Sequence, residues 1–221
     1  MVASSPRTAG QNVRRLAFRR RLQSWRAFLA AGGLPVLVVF MFPVLAIGLG
    51  FIAAIVIVAI AAFGAMGFIF RGLDLWQAAN RAVQGAKAEE NVAKILQELE
   101  PQGWSFEYGM RLDDGLGDAD VICFSPQQKT YVIDVKSHKG TVIFQDHRLH
   151  RRMGRTIYGF KKDFLQIVMK QALQVRDKKK LSFVTPLLVF TRAQLAVSHK
   201  KIRGVYVIGQ ADLVAKLQEL G

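Results

Sequence analysis

Gly117-Asp118-Ala119-Asp120-Val121-Ile122-Cys123-Phe124, the turn Ser125-Pro126-Gln127-Gln128, and Thr130-Tyr131-Val132-Ile133-Asp134-Val135-Lys136 make up the most informative part of the chain. Two apolar runs of strand length, rich in β-branched and aromatic residues and split by a proline-containing turn, predict a β-hairpin. Each run carries a carboxylate among residues that otherwise predict a core. Alternation along a strand puts Asp134 and Lys136 on one face, ~7 Å apart, with Ile133 and Val135 on the other. Ionisable groups on a buried face are costly unless they pair with each other or with a metal. Asp120, on the neighbouring strand, supplies a second carboxylate. Two converging carboxylates make a hard-oxygen site suited to Mg²⁺ or Mn²⁺, and a lysine beside them can orient or help deprotonate an attacking water. In outline, that is hydrolysis of a phosphodiester.

Upstream, Ala88, Val92, Ile95, Leu96 and Leu99 recur at helical spacing. They predict an amphipathic helix from about Gly85 to Glu100, stopped by Pro101. On this wheel Glu89 lies roughly 75° from the centre of the apolar stripe and can reach inward, whereas Glu90 lies nearly opposite and should be solvated.

At these residues a family resemblance emerges. Asp120, thirteen intervening residues and Asp134-Val135-Lys136 resemble the PD-(D/E)XK nuclease signature. Gly85-Ala86-Lys87-Ala88-Glu89 is similar to the Gly-x-x-Gly-Glu opening of the nuclease-related domain (NERD) family, and Tyr131 to Gly140 to its hydrophobic-(E/D)-x-Lys-x-x-x-Gly core. The resemblance covers roughly residues 85 to 209. Ala88 replaces the usual glycine, and Asp134 stands where the family more often has glutamate; neither change removes a charge.

Composition bounds the rest. A mean hydropathy of +0.20 beside a net charge of +15 is unusual, and it resolves once the chain is divided. Residues 1 to 26 hold seven arginines and no acid, leaving 24 basic against 16 acidic residues from Ala27 onward. Cys123 is the single cysteine, which excludes an intrachain disulfide and suits a reducing compartment. From Ala27 to Phe70 there are 44 residues without a charged, Ser, Thr, Asn or Gln side chain. One membrane-spanning helix needs ~20 residues, so two spans fit, with Gly48-Leu49-Gly50 as the turn and a kink at Pro43. Basic residues flank both ends, including Arg19, Arg20, Arg21 and Arg26 before and Arg71, Arg81 and Lys87 after. A hairpin keeps both flanks in the cytoplasm, whereas a single span exports one. The arm itself predicts a disordered start and then an Arg-rich helix against anionic lipid.

Downstream, Trp104 to Met110 reads as a first strand, and the Asp113, Asp114 and Asp118 cluster as turn residues. Thr141 to Phe144 predicts a third strand of the meander. His147 to Lys162 reads as a basic loop in which Arg148, Arg151, Arg152, Arg155, Lys161 and Lys162 are interleaved with Tyr158 and Phe160, a composition suited to backbone-phosphate contacts. His138, His147 and His150 lack a metal-ligand pattern and read as surface or phosphate-contact residues. A helix from about Asp163 to Arg176 follows. The family often places a glutamine early in this helix: spacing favours Gln166, the helical wheel favours Gln171. Leu181 to Thr191 and Val205 to Gly209 predict further strands, and Asp212 to Leu220 a closing helix.

The expected architecture is an α/β fold, a restriction-endonuclease-like α/β/α sandwich with an αβββαβ core, preceded by a transmembrane helical hairpin. Its segments are a basic arm (1–26), the membrane segment (27–70), a connector (71–84) and the nuclease-like domain (85–221). The resemblance implies a membrane-anchored nuclease in which Asp120 and Asp134 bind Mg²⁺ or Mn²⁺, Glu89 contributes directly or through water, and Lys136 orients water and stabilises charge. It also implies nucleic acid as partner, DNA ahead of RNA, with the basic stretch and Gln166 or Gln171 contacting it. The expected location is the inner (plasma) membrane with the soluble domain in the cytoplasm. The competing reading is a tethered nuclease fold that binds nucleic acid or protein without cutting.

Overall fold

Between Phe51 and Leu96 the sequence contains no proline and is dense in alanine and other good helix formers, so nothing stops a helix once it starts. In the computed structural model, which describes residues 9–197 and 201–221, this stretch is a single helix. The elements are α1 (Gln11–Leu49), α2 (Phe51–Leu96), a 3₁₀ helix (Gln97–Gln102), β1 (Ser105–Arg111), β2 (Asp118–Phe124), β3 (Thr130–Gln145), β4 (Arg148–Met153), β5 (Thr156–Gly159), α3 (Phe164–Lys179), β6 (Thr185–Ala196), β7 (Lys201–Ile202), β8 (Val205–Gly209), a short 3₁₀ turn (Gln210–Asp212) and α4 (Leu213–Leu220). They divide into two compact units, Val13–Val83 and Met1–Asn12 with Gln84–Gly221.

Several expected boundaries shift. The connector over 71–84 is helical and continuous with α2, and the helix expected from Gly85 is the end of α2. Pro101 lies inside the 3₁₀ turn; the stop comes at Gly103, whose left-handed φ of 87° lets its N–H reach the last carbonyls. The Arg-rich segment is the first part of α1 rather than a separate helix. The disordered start expected for the arm, with Arg7, falls outside the described residues.

In the first unit α1 and α2 run antiparallel about the break at Gly50. Ser24 Oγ donates to Gly72 O at 2.8 Å, Arg20 reaches Ala78 O at 3.4 Å, and the Trp25 and Trp76 rings meet edge-on at 6.3 Å. The buried side chains here are small: Ala17, Ser24, Ala27 and Ala31 on α1, Ala54, Ala61, Ala65 and Ala79 on α2. Small residues let the two backbones approach closely. The large apolar side chains, Leu37, Phe40, Ile47, Ile52 and Phe63 among them, point away from this seam and are exposed. Both helices are long and apolar enough to cross a membrane.

In the second unit an eight-stranded mixed sheet runs β1-β2-β3-β6-β8-β7, with β4 on β3 and β5 on β4. Two cores sandwich it. On one face Ala88, Val92 and Leu96 of α2 and Leu213 and Leu217 of α4 pack on Val121, Ile133, Val135, Leu187 and Val189. On the other, Leu165, Val168, Ala172 and Val175 of α3 pack on Ile122, Val132, Val142, Leu188 and Phe190. This is the expected three-layer α/β sandwich, and the opposite parity of the two lists is strand alternation made visible.

The third meander strand is not separate. Thr141 to Phe144 is the far half of β3, which continues past an irregularity between Lys136 and Lys139. The basic loop is also ordered differently, because His147 to Lys162 contains the hairpin β4–β5.

Candidate active site

β3 has two neighbours on one edge and a break between them. β2 pairs with Thr130 to Ile133, and β4 pairs with Thr141 to Gln145. β6 follows the opposite edge from Tyr131 to Ile143. Asp134 to Gly140 therefore has no ladder partner on the β2/β4 edge, an opening ~20 Å long at ~3.3 Å per residue. The acid and lysine of the sequence pattern stand at its start.

Asp134 is buried, at 3% exposure. Lys136 Nζ lies 2.5 Å from its Oδ2, and no other donor reaches that oxygen. The contact is a charge-assisted one that holds the lysine against the carboxylate. Lys136 also lies over the Phe164 ring, 5.1 Å from its centroid. Asp134 and Asp120 outweigh the cost of burial and raise the pKa of Lys136, so it stays charged.

Where β2 stops pairing, Asp120 takes over. Its Oδ2 accepts the Val135 N–H at 2.7 Å, satisfying a donor that the ladder leaves open. Burial first, then Asp134 and Glu89, push the Asp120 carboxyl well above its usual range, against Lys136 and the Val135 N–H. Glu89, on α2, is raised from 4.5 to about 7, chiefly by burial, while the Gly10 N–H and Lys136 pull it down. Glu89, Asp120, Asp134 and Lys136 thus share one electrostatic environment. Glu90, expected to be solvated, is half-buried with a carboxylate oxygen near Gly10.

Asp120 and Asp134 are of the donor type that a hard divalent cation takes. Two neighbouring buried carboxylates are the kind of donors Mg²⁺ uses, since it takes one or two carboxylates and completes its shell with water and substrate phosphate. Among the described residues no group of three or more His, Cys, Asp or Glu is preassembled as a cage.

The remaining candidates separate. Gln166 is exposed on α3, where its backbone N–H is capped by Asp163 at 3.2 Å. Gln171 is 2% exposed, and its amide nitrogen lies 3.4 Å from both Leu116 O and Asp118 O. It therefore holds the loop that enters β2. The same loop is tied to α3 by Lys178 to Asp113 at 2.8 Å and Gln174 to Asp114 at 3.1 Å. Arg151 is opposite Val142 and Tyr158, so it shares the α3 face with Lys136; Arg148 and Arg152 alternate to the other face. Arg155 is in the β4–β5 turn, and Lys161 and Lys162 are exposed before α3.

Two parts of the site carry no sequence signal. Gly10 reaches Glu89 from 79 positions away, and a helical wheel cannot see a backbone donor. His138, read as a surface residue, is stacked between Phe160 and Phe164 at 4.9 and 5.6 Å. Burial, then Arg151 and Lys136, lowers its pKa, so it is a neutral part of the aromatic wall behind the lysine.

An α/β sandwich whose sheet opens beside two carboxylates and a lysine defines a nuclease-like domain. The comparison with families agrees: residues 84–191 match the family described as NERD, nuclease-related domain. Neither a curated protein nor a solved structure gives a match.

Proposed function

We propose that the protein is a membrane-anchored, divalent-metal-dependent nuclease that hydrolyses nucleic-acid phosphodiester bonds, DNA ahead of RNA. The observation that carries this reading is the buried Asp134 carboxylate, whose Oδ2 is held only by Lys136, in a sheet opening shared with Asp120 and Glu89. Asp120 and Asp134 would hold Mg²⁺ or Mn²⁺, with Glu89 contributing directly or through water, and the ion would supply Lewis-acid stabilisation of charge on the phosphate. Asp120 keeps the β2–β3 junction closed through Val135. Lys136 orients the attacking water and offers its charge to the phosphoryl oxygens as they become more negative. Arg151, Arg155, Lys161 and Lys162 hold backbone phosphates without reading sequence.

Membrane anchoring is supported by the inverted hairpin, small residues at the seam and large apolar ones outward, which suits lipid rather than water. Basic residues at both ends of the apolar stretch support a cytoplasmic domain at the plasma membrane. The test is cleavage of labelled DNA and RNA by the full chain in detergent, with Mg²⁺, Mn²⁺ or EDTA, beside Asp134→Ala and Lys136→Ala. Metal-dependent cutting lost in both variants supports the nuclease. Salt-sensitive binding without cutting under any condition replaces it with a tethered binding module.

A further inference from the structure

Of the six large apolar side chains exposed beyond Gln84 among the described residues, four, Phe144, Met153, Ile157 and Tyr158, cluster on β3–β4–β5. All four residues of β5 are exposed, so this strand adds nothing to the core, whereas Leu149 of β4 is buried in it. Residues 147 to 162 contain six Lys and Arg and no acid. The two sets are interleaved side by side: the Arg151 guanidinium lies 5.9 Å over the Tyr158 ring, and Arg152 is opposite Ile157. The turn is also held against the opening in β3. At Gly140, φ is 96°, and a Cβ would come within 2.6 Å of Arg152 O and 3.1 Å of Met153 Cγ. Only glycine lets the hairpin approach this closely, so its tip borders the gap that begins at Asp134.

We infer that β4–β5 is a stacking platform for unpaired bases, making the substrate of the adjacent site a nucleic-acid strand that is single-stranded or frayed. A flat apolar or aromatic side chain beside an arginine offers a face to a base and a charge to its phosphate, and every base has such a face. In an intact duplex the bases are stacked on one another, and Tyr158 would have nothing to bind. This inference rests on the nuclease reading for the meaning of the gap, but its binding test does not require cutting.

The experiment uses the full chain in nanodiscs, in EDTA, and measures anisotropy with oligo-dT, an abasic oligonucleotide of equal length and a blunt duplex. Oligo-dT should bind about tenfold more tightly than the abasic strand, and Tyr158→Ala should remove that difference while leaving duplex binding unchanged. A dye on Thr156→Cys reports where the hairpin docks, because the native Cys123 is buried. Its response should follow oligo-dT and ignore phosphatidylserine in the disc. Equal binding of dT and abasic strands, an unchanged preference in Tyr158→Ala, or a dye response to anionic lipid alone each overturns the platform. If any of these accompanies metal-dependent cutting that Asp134→Ala abolishes, the platform fails and the nuclease stands.

Discussion

Asp120 and Val135 meet across two strands that have just stopped pairing, carboxylate oxygen to backbone N–H at 2.7 Å. The last ladder pair is Val121 with Ile133. A side chain has replaced a strand as the partner of β3, and the sheet begins to open there.

Asp120→Ala leaves the Val135 N–H without its acceptor and should cost about 1–3 kcal/mol. Asp120→Asn keeps an acceptor oxygen and should remain within about 1 kcal/mol of the parent while losing the charge a metal needs. Urea denaturation of both variants, with Mg²⁺ titration of the second by calorimetry, separates the structural role from the ligand role.

Lys136→Met strands the Asp134 carboxylate in a buried site and should destabilise by about 3 kcal/mol or more. Asp134→Leu/Lys136→Met removes both charges and should recover most of that loss. Denaturation midpoints of the two single variants and the double provide the cycle. A double variant as unstable as Lys136→Met would show that packing of the lysine stem, and not the ion pair, was lost.

In the metal-free protein Glu89 should titrate near pH 7, since its carboxyl is raised from 4.5 to about 7. Above its unfolded value the unfolded chain gives up this proton first, so stability falls as pH rises from ~4.5 and the loss is complete once Glu89 ionises in the native state. Glu89→Gln should flatten that part of the pH–stability curve. Carboxyl ¹³C NMR shifts of the native protein check the titration directly.

Gln171→Leu removes the amide that lies between Leu116 O and Asp118 O and should cost about 1 kcal/mol. Faster hydrogen exchange of amides in the loop 112–118, with α3 unchanged, is the expected signature. If the loop is positioned for catalysis, the turnover rate should fall more than substrate affinity.

Gly140→Ala forces a Cβ toward Arg152 O at a left-handed backbone position and should cost about 1–3 kcal/mol. Hydrogen exchange in β4 and β5 should rise selectively. A global loss of stability without this local signature would mean that the hairpin is not seated through this glycine.

The core of the fold was legible because it obeys period-two and 3.6-residue patterns. β2 and the first half of β3 alternate as buried strands should, and Ala88, Val92 and Leu96 mark the helix face that covers them. The sequence predicts a loop where the β4–β5 hairpin lies, because β5 is exposed on both faces and such a strand has no apolar alternation to detect. The continuation of α2 through 71–84 was hidden by Gly72, Asn80 and Gly85, which look like punctuation but do not outweigh the alanine-rich residues around them. That Asp120, Asp134, Lys136 and Glu89 come near one another follows from strand alternation, the helical wheel and the family resemblance. Gly10 and the aromatic wall around His138 were not legible, because both depend on contacts between distant segments.

The unpaired stretch of β3 has a cost outside chemistry. A strand edge without a ladder partner is a template for another chain, and an opening from Asp134 to Gly140 is long enough to recruit one. Lys139 interrupts it with charge, the irregularity between Lys136 and Lys139 breaks its register, and Gly140 turns it away from a flat strand. The same features keep this edge from nucleating aggregates, so neutralising the exposed Lys139 should lower solubility even in a variant that folds normally.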